Sequence, residues 1–146
     1  MTAGGARPVS AYLVESDDDE AWVERANATR TEALELAERF WTATQGYAGG
    51  RIGEGVELTL SFTRDDEEDF IELSAFGPDG ISARHRFIDA WKLLWLLPMR
   101  HRRDLNLELH DRGEVVALVE AYMTMPAPGA FRDWMQARGA TLARHR

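Results

Sequence analysis

The side chains that could do chemistry in this chain are few and awkwardly placed. There is no cysteine, and three of the four histidines stand between arginines: Arg84-His85-Arg86, Arg100-His101-Arg102 and Arg144-His145-Arg146. A metal centre or an activated nucleophile needs neutral imidazole, thiolate or a positioned base. Flanking guanidinium groups oppose charging of those rings and add nothing to a ligand cage. No metal, cofactor or catalytic residue is expected on these grounds. Gly80-Ile81-Ser82-Ala83-Arg84 lacks the second glycine of a nucleophile elbow, and no serine has a base beside it.

Three constellations remain. Gly50 and Gly55 have the glycine spacing of a phosphate loop, but Val56 stands where its lysine must be. The glycine-rich stretch from Gly46 to Gly55 therefore reads as a connection. The run Asp65-Asp66-Glu67-Glu68-Asp69 begins like a calcium loop, yet Phe70 occupies the glycine position. It reads as a solvated hairpin loop, or as a negative patch for a basic protein. His85 alternates onto an apolar strand face with Ile71, Leu73 and Phe87. It is either a core histidine satisfied by a backbone carbonyl or a buried base. Glu57 and Glu72 could share the opposite, polar face with Arg84 and Arg86, as ion pairs in water or as a site for a small anionic ligand.

These residues depend on the elements that hold them. Positions 1–15 read as a flexible lead with a short edge strand at Val9 to Val14, followed by one domain over 16–146. Ser16 and the acids Asp17 to Glu20 can start a helix. Trp22, Ala26, Thr29, Ala33, Leu36, Ala37, Phe40 and Trp41 keep helical spacing through Thr44. Val56 to Phe62 alternates as a strand. Phe70 to Phe76 and Ile81 to Ile88 flank Pro78-Asp79-Gly80, a three-residue hairpin turn. That turn puts Leu73 opposite His85 and Glu72 opposite Arg86.

Asp89 can cap a short helix from Ala90 to Leu97, closed by Pro98 and apolar almost all round. Leu105, Leu107 and Leu109 alternate as a further strand. From Glu114 to Met125 two patterns compete. Asp111-Arg112-Gly113 fits a hairpin, and β-branched Val115, Val116 and Val119 favour a strand. Asp111 with Glu114 also resembles a capping box, and Val115, Leu118, Val119 and Tyr122 keep helical spacing. The strand is preferred. A last helix runs from Gly129 to Arg138. The expected class is α+β, an antiparallel sheet of about five strands with the long, short and C-terminal helices packed on one face. This order of elements is similar to that of small acidic secretion chaperones of bacteria, which dimerise and hold peptide segments.

Charge then limits the partners. The chain carries −8, with −11 on residues 1–75 and +3 on residues 76–146. Nucleic acid is not expected, because phosphate binding rests on a clustered cationic surface. The longest apolar stretch, around Ala90 to Met99, is far short of the ~20 residues a spanning helix needs, so no membrane is expected. Met1 to Ser10 holds no apolar signal core. With the lack of cysteine, this fits the cytoplasm.

The expected function is a non-catalytic protein-binding module: an adaptor, or an immunity-type inhibitor of a basic partner, able to form a homodimer. The binding residues would be Asp65, Asp66, Glu67, Glu68, Asp69, Trp91, Trp95 and Arg100. Aromatics and arginine are enriched at binding hot spots. The alternative is a ligand pocket between sheet and helix, lined by Glu72, His85, Arg86 and Trp91.

Overall fold

Strand alternation and three capped helices build a two-layer α+β fold. The computed structural model describes residues 8–14, 22–46, 58–64, 69–77, 80–93 and 97–142. The strands are β1 (Ser10–Val14), β2 (Trp22–Arg25), β3 (Leu58–Arg64), β4 (Asp69–Gly77), β5 (Gly80–Leu93), β6 (Leu97–Leu109) and β7 (Thr141–Leu142). They form one antiparallel sheet in the order β2-β1-β3-β4-β5-β6-β7, seven strands where about five were expected. The helices are α1 (Arg30–Gly46), α2 (Arg112–Thr124) and α3 (Pro128–Ala137).

The period of two decides which sheet face is covered. Val9 just before β1, Ala11 and Leu13 of β1, Leu58, Leu60 and Phe62 of β3, and Ile71, Leu73 and Ala75 of β4 are buried. So are Ile81, Ala83 and Phe87 of β5, with Leu105 and Leu109 of β6. Phe40 of α1, Leu118 and Tyr122 of α2, and Phe131 and Met135 of α3 close the same core. Ion pairs from Arg30 to Glu120 and from Arg112 to Glu38 tie α1 to α2 along their outer edge.

Local chemistry sets the helix ends. Thr29 accepts from the Glu32 backbone N–H at 3.1 Å, and the Glu32 side chain accepts from the Thr29 N–H at 3.1 Å. This reciprocal capping box starts α1. Asn27, at φ 54°, makes the turn before it. α3 ends in a Schellman motif. Gly139 sits at φ 96°, its N–H reaches Gln136 O at 3.0 Å, and the Ala140 N–H reaches Met135 O at 3.1 Å.

Several expectations are corrected. The long helix from Ser16 does not form: β2 occupies Trp22–Arg25 and α1 begins only at Arg30. The short strand near Val14 is present, but it lies between β2 and β3, not at an edge. The Ala90 to Leu97 helix is absent; β5 runs to Leu93 and β6 starts at Leu97, paired to each other. The stretch after Glu114 is helix α2, because the Asp111 carboxylate accepts from the Glu114 N–H at 2.8 Å. Asp111→Ala should therefore cost about 1 kcal/mol, measurable by urea unfolding. With a helix there, the element order departs from that of the secretion chaperones.

The β4–β5 hairpin is also tighter than expected. Gly77 pairs with Gly80, and Ala75 with Ile81, across an irregularity between Ala75 and Gly77. The register therefore moves by two residues: Leu73 faces Ala83, Ile71 faces His85 and Glu72 faces Arg84. An even shift leaves every side chain on its expected face. Pro78 and Asp79 of the expected turn lie outside the described residues, as does the glycine connection from Tyr47 to Gly55 with Val56 and Glu57.

Candidate functional site

Three strands, β3, β4 and β5, and the end of α2 converge on a buried polar cluster. Arg64 ends β3 and Asp69 opens β4, and the two are cross-strand partners. His85 follows on β5, and Tyr122 comes down from α2. Arg64, Asp69 and His85 are buried within an otherwise apolar face. His85 Nε2 lies 3.0 Å from Asp69 Oδ1. The Tyr122 hydroxyl donates to the same residue, at 3.2 Å to its carbonyl and 3.3 Å to Oδ1. His85 Nδ1 and Asp69 Oδ2 have no partner among the described residues.

Arg64 works differently. Its guanidinium lies over the Tyr122 ring, 4.3 Å from the centroid. It donates to the Tyr122 carbonyl and, at 3.2 Å, to the Met125 carbonyl. These carbonyls sit at the end of α2, where backbone acceptors lack helical partners and a cation is favoured. Arg64 thus caps α2 from inside the core.

The histidine is walled in by rings. Phe131 meets it edge-on at 4.7 Å, Phe87 stacks at 5.1 Å and Tyr122 stands edge-on at 6.3 Å. His85 is 0% exposed. A His–carboxylate pair can orient a base, but a base must reach its substrate's proton. Here the pair joins β4 and β5 beneath α2. His85 is therefore a core histidine, though a carboxylate satisfies it and not a backbone carbonyl.

The opposite sheet face carries a second arrangement. Arg84 pairs with Glu72 at 3.2 Å. Arg86 makes a two-pronged contact with Asp104, at 2.7 and 3.0 Å. Those hydrogen bonds push the Arg86 pKa above the ordinary guanidinium value, against a smaller opposing effect of burial. Both guanidiniums flank the Phe70 ring. Ser61, Thr63, Phe70, Glu72, Arg86 and Arg102 line a shallow cleft of about 300 Å³ there. Further along this face, Tyr12 and Trp22 touch at 5.6 Å and are 36% and 48% exposed.

The expected site residues are scattered by this arrangement. Glu72 and Arg86 share the outer cleft, while His85 points to the other face. Trp91 and Arg100 lie on the paired extensions of β5 and β6. Asp65 to Glu68 and Trp95 lie outside the described residues. Asp69 leaves the acidic patch altogether, since it is buried at 3% exposure. Sequence reasoning missed Arg64 and Tyr122. A charged residue at a core-facing strand position was the available signal for Arg64. Among the described residues no group of acids and histidines is arranged to hold a metal ion. None of their helices is long and apolar enough to cross a membrane.

The chain matches no family model, no curated protein and no solved structure.

Proposed function

We propose that the protein is a non-catalytic protein-binding module of the cytoplasm, an adaptor or immunity-type inhibitor that engages its partner through the β5–β6 hairpin. One observation carries this reading. Beyond Arg86, where pairing with β4 ends, β5 and β6 continue together from Phe87↔Arg103 to Leu93↔Leu97. Among the described residues no third strand pairs with this extension. A two-stranded ribbon is at best marginally stable alone in water. Its sequence is also strongly apolar, with Ile88, Trp91, Leu93, Leu97 and Met99 among the paired positions. A ribbon of this composition that no further described strand pairs supports an interaction surface.

His85, buried against Asp69 and the Phe131 and Phe87 rings, fits a structural role and so supports the same reading. Replacing residues 89–101 by Asn-Gly tests the proposal while leaving the sheet intact. Native mass spectrometry would compare the full and shortened chains, each pure and after incubation in lysate of the source cells. The expected result is a second protein chain on the full protein that is lost on shortening. Two bare monomers, or a full chain carrying only a small molecule, would overturn the reading.

The outer cleft favours a second reading, a site for a small anionic group held by Arg102 beside the Ser61 and Thr63 hydroxyls. Arg86 and Glu72 are already engaged by Asp104 and Arg84, so Arg102 would supply the charge.

A further inference from the structure

We infer that the sheet face turned away from the helices binds a neutral oligosaccharide, which lies across the Tyr12–Trp22 pair and the cleft at Phe70. This goes beyond both readings above and needs neither the hairpin extension nor a bound anion. The ring pair is the first observation. Tyr12 stands in the outward phase of β1, opposite to buried Ala11 and Leu13. Trp22 of β2 holds its ring 5.6 Å from that of Tyr12, and both side chains are exposed. Large rings left in water on one face of a sheet offer a stacking platform.

The sheet register joins this platform to the cleft. Tyr12 pairs with Ser61, Ser61 with Glu72, and Glu72 with Arg84. The neighbouring row runs from Thr63 through Phe70 and Arg86 to Asp104. Phe70 lies two strands from Tyr12, roughly 10 Å at ordinary strand spacing. Two aromatic platforms with hydroxyls between them suit several linked pyranose rings. The C–H face of a pyranose packs on an aromatic ring as apolar surface, while its hydroxyls hydrogen-bond at the edges.

Charge selects a neutral ligand. The outward positions of this face hold Arg84, Arg86 and Arg102 against Glu24, Glu72, Asp104 and Glu108. Arg84 is paired with Glu72, and Arg86 with Asp104. A nucleic acid strand needs a groove of surplus cations, which this face lacks. Sugar hydroxyls both donate and accept, so a guanidinium–carboxylate pair answers them from both sides. Arg86 gives Asp104 only its Nε and one terminal nitrogen, which leaves donors over for the cleft.

A printed array of neutral and acidic glycans, with a uridylate hexamer alongside, tests the full chain. Titration of the best-captured glycan then gives its affinity. Capture of neutral glycans is expected, with affinity unchanged between about 0.05 and 0.5 M NaCl, a range over which phosphate contacts weaken steeply. Y12A/W22A should lower that affinity at least about tenfold. Arg102→Ala should lower it about fivefold, through lost hydrogen bonds. All three side chains are exposed, so the melting temperature of each variant should match that of the parent. Binding of no neutral glycan with a Kd below about 1 mM would overturn the inference. Capture of acidic glycans or the uridylate hexamer alone, falling with salt, would assign the cleft to an anion and overturn it as well. Sugar binding untouched by Y12A/W22A would place the site elsewhere and remove this face.

Discussion

Asp69→Ala should lower the unfolding free energy by about 2–5 kcal/mol, because it leaves two buried polar groups without their acceptor. Two polar groups depend on this carboxylate. His85 Nε2 lies 3.0 Å from Oδ1, and the Tyr122 hydroxyl donates to the same atom. Arg64 stands directly across the strand pair as a buried cation. Alanine would leave the imidazole and hydroxyl facing a void that water cannot easily reach. Asp69→Asn keeps the shape and one acceptor while removing the charge, so its cost should be nearer 1–2 kcal/mol. Urea unfolding followed by tryptophan fluorescence measures both. A loss below about 1 kcal/mol for the alanine variant would show that Asp69 is not the acceptor on which His85 and Tyr122 depend.

Arg64→Met should cost about 2–4 kcal/mol, because it strands two backbone acceptors while nearly keeping side-chain length. The guanidinium donates to the carbonyls of Tyr122 and Met125, and it packs on the Tyr122 ring. Methionine restores the packing but not the donors. The damage should be local as well as global: amide exchange at the last turn of α2 should quicken more than in α1. Equal acceleration in both helices would count against Arg64 as an internal cap. Combined with Asp69→Ala, the loss should fall short of the sum by at least about 1 kcal/mol, since both variants disrupt one network. Simple additivity would mean that the two residues act separately.

Both effects arise at positions where the strand pattern carries a polar residue on its core face. The apolar faces themselves were readable. Leu58, Leu60 and Phe62, then Ile71 and Leu73, then Leu105 and Leu109, alternate as half-buried strands do, and these residues are buried in the sheet. The hairpin partners were readable to within two residues, because a slip of two preserves the faces and so changes little energy. The capping box at Thr29 and Glu32 was equally present in the sequence. The acids after Ser16 and the long run of helical spacing concealed it, and both patterns are compatible with a helix that tertiary contacts did not select.

The stretch from Ala90 to Leu97 shows why apolar runs are ambiguous. Residues apolar on every side satisfy helix and strand alike, and periodicity then carries no information. Pairing of β5 with β6 over 13 residue pairs decides for strand. The same holds for α2, where β-branched valines argued one way and the Asp111 cap the other. One hydrogen bond from the Glu114 N–H, with Leu118 and Tyr122 buried against the sheet, settles it.

The sequence by itself determined the α+β class, the covered face of the sheet, the uneven charge and the burial of His85. These follow from alternation and composition, which act through neighbours close in the chain. Only the tertiary structure decided that Asp69 belongs to the core and not to the acidic run, and that Arg64 caps a helix some sixty positions away. Those contacts join residues on different elements, so their energy exists only once the sheet and α2 have met.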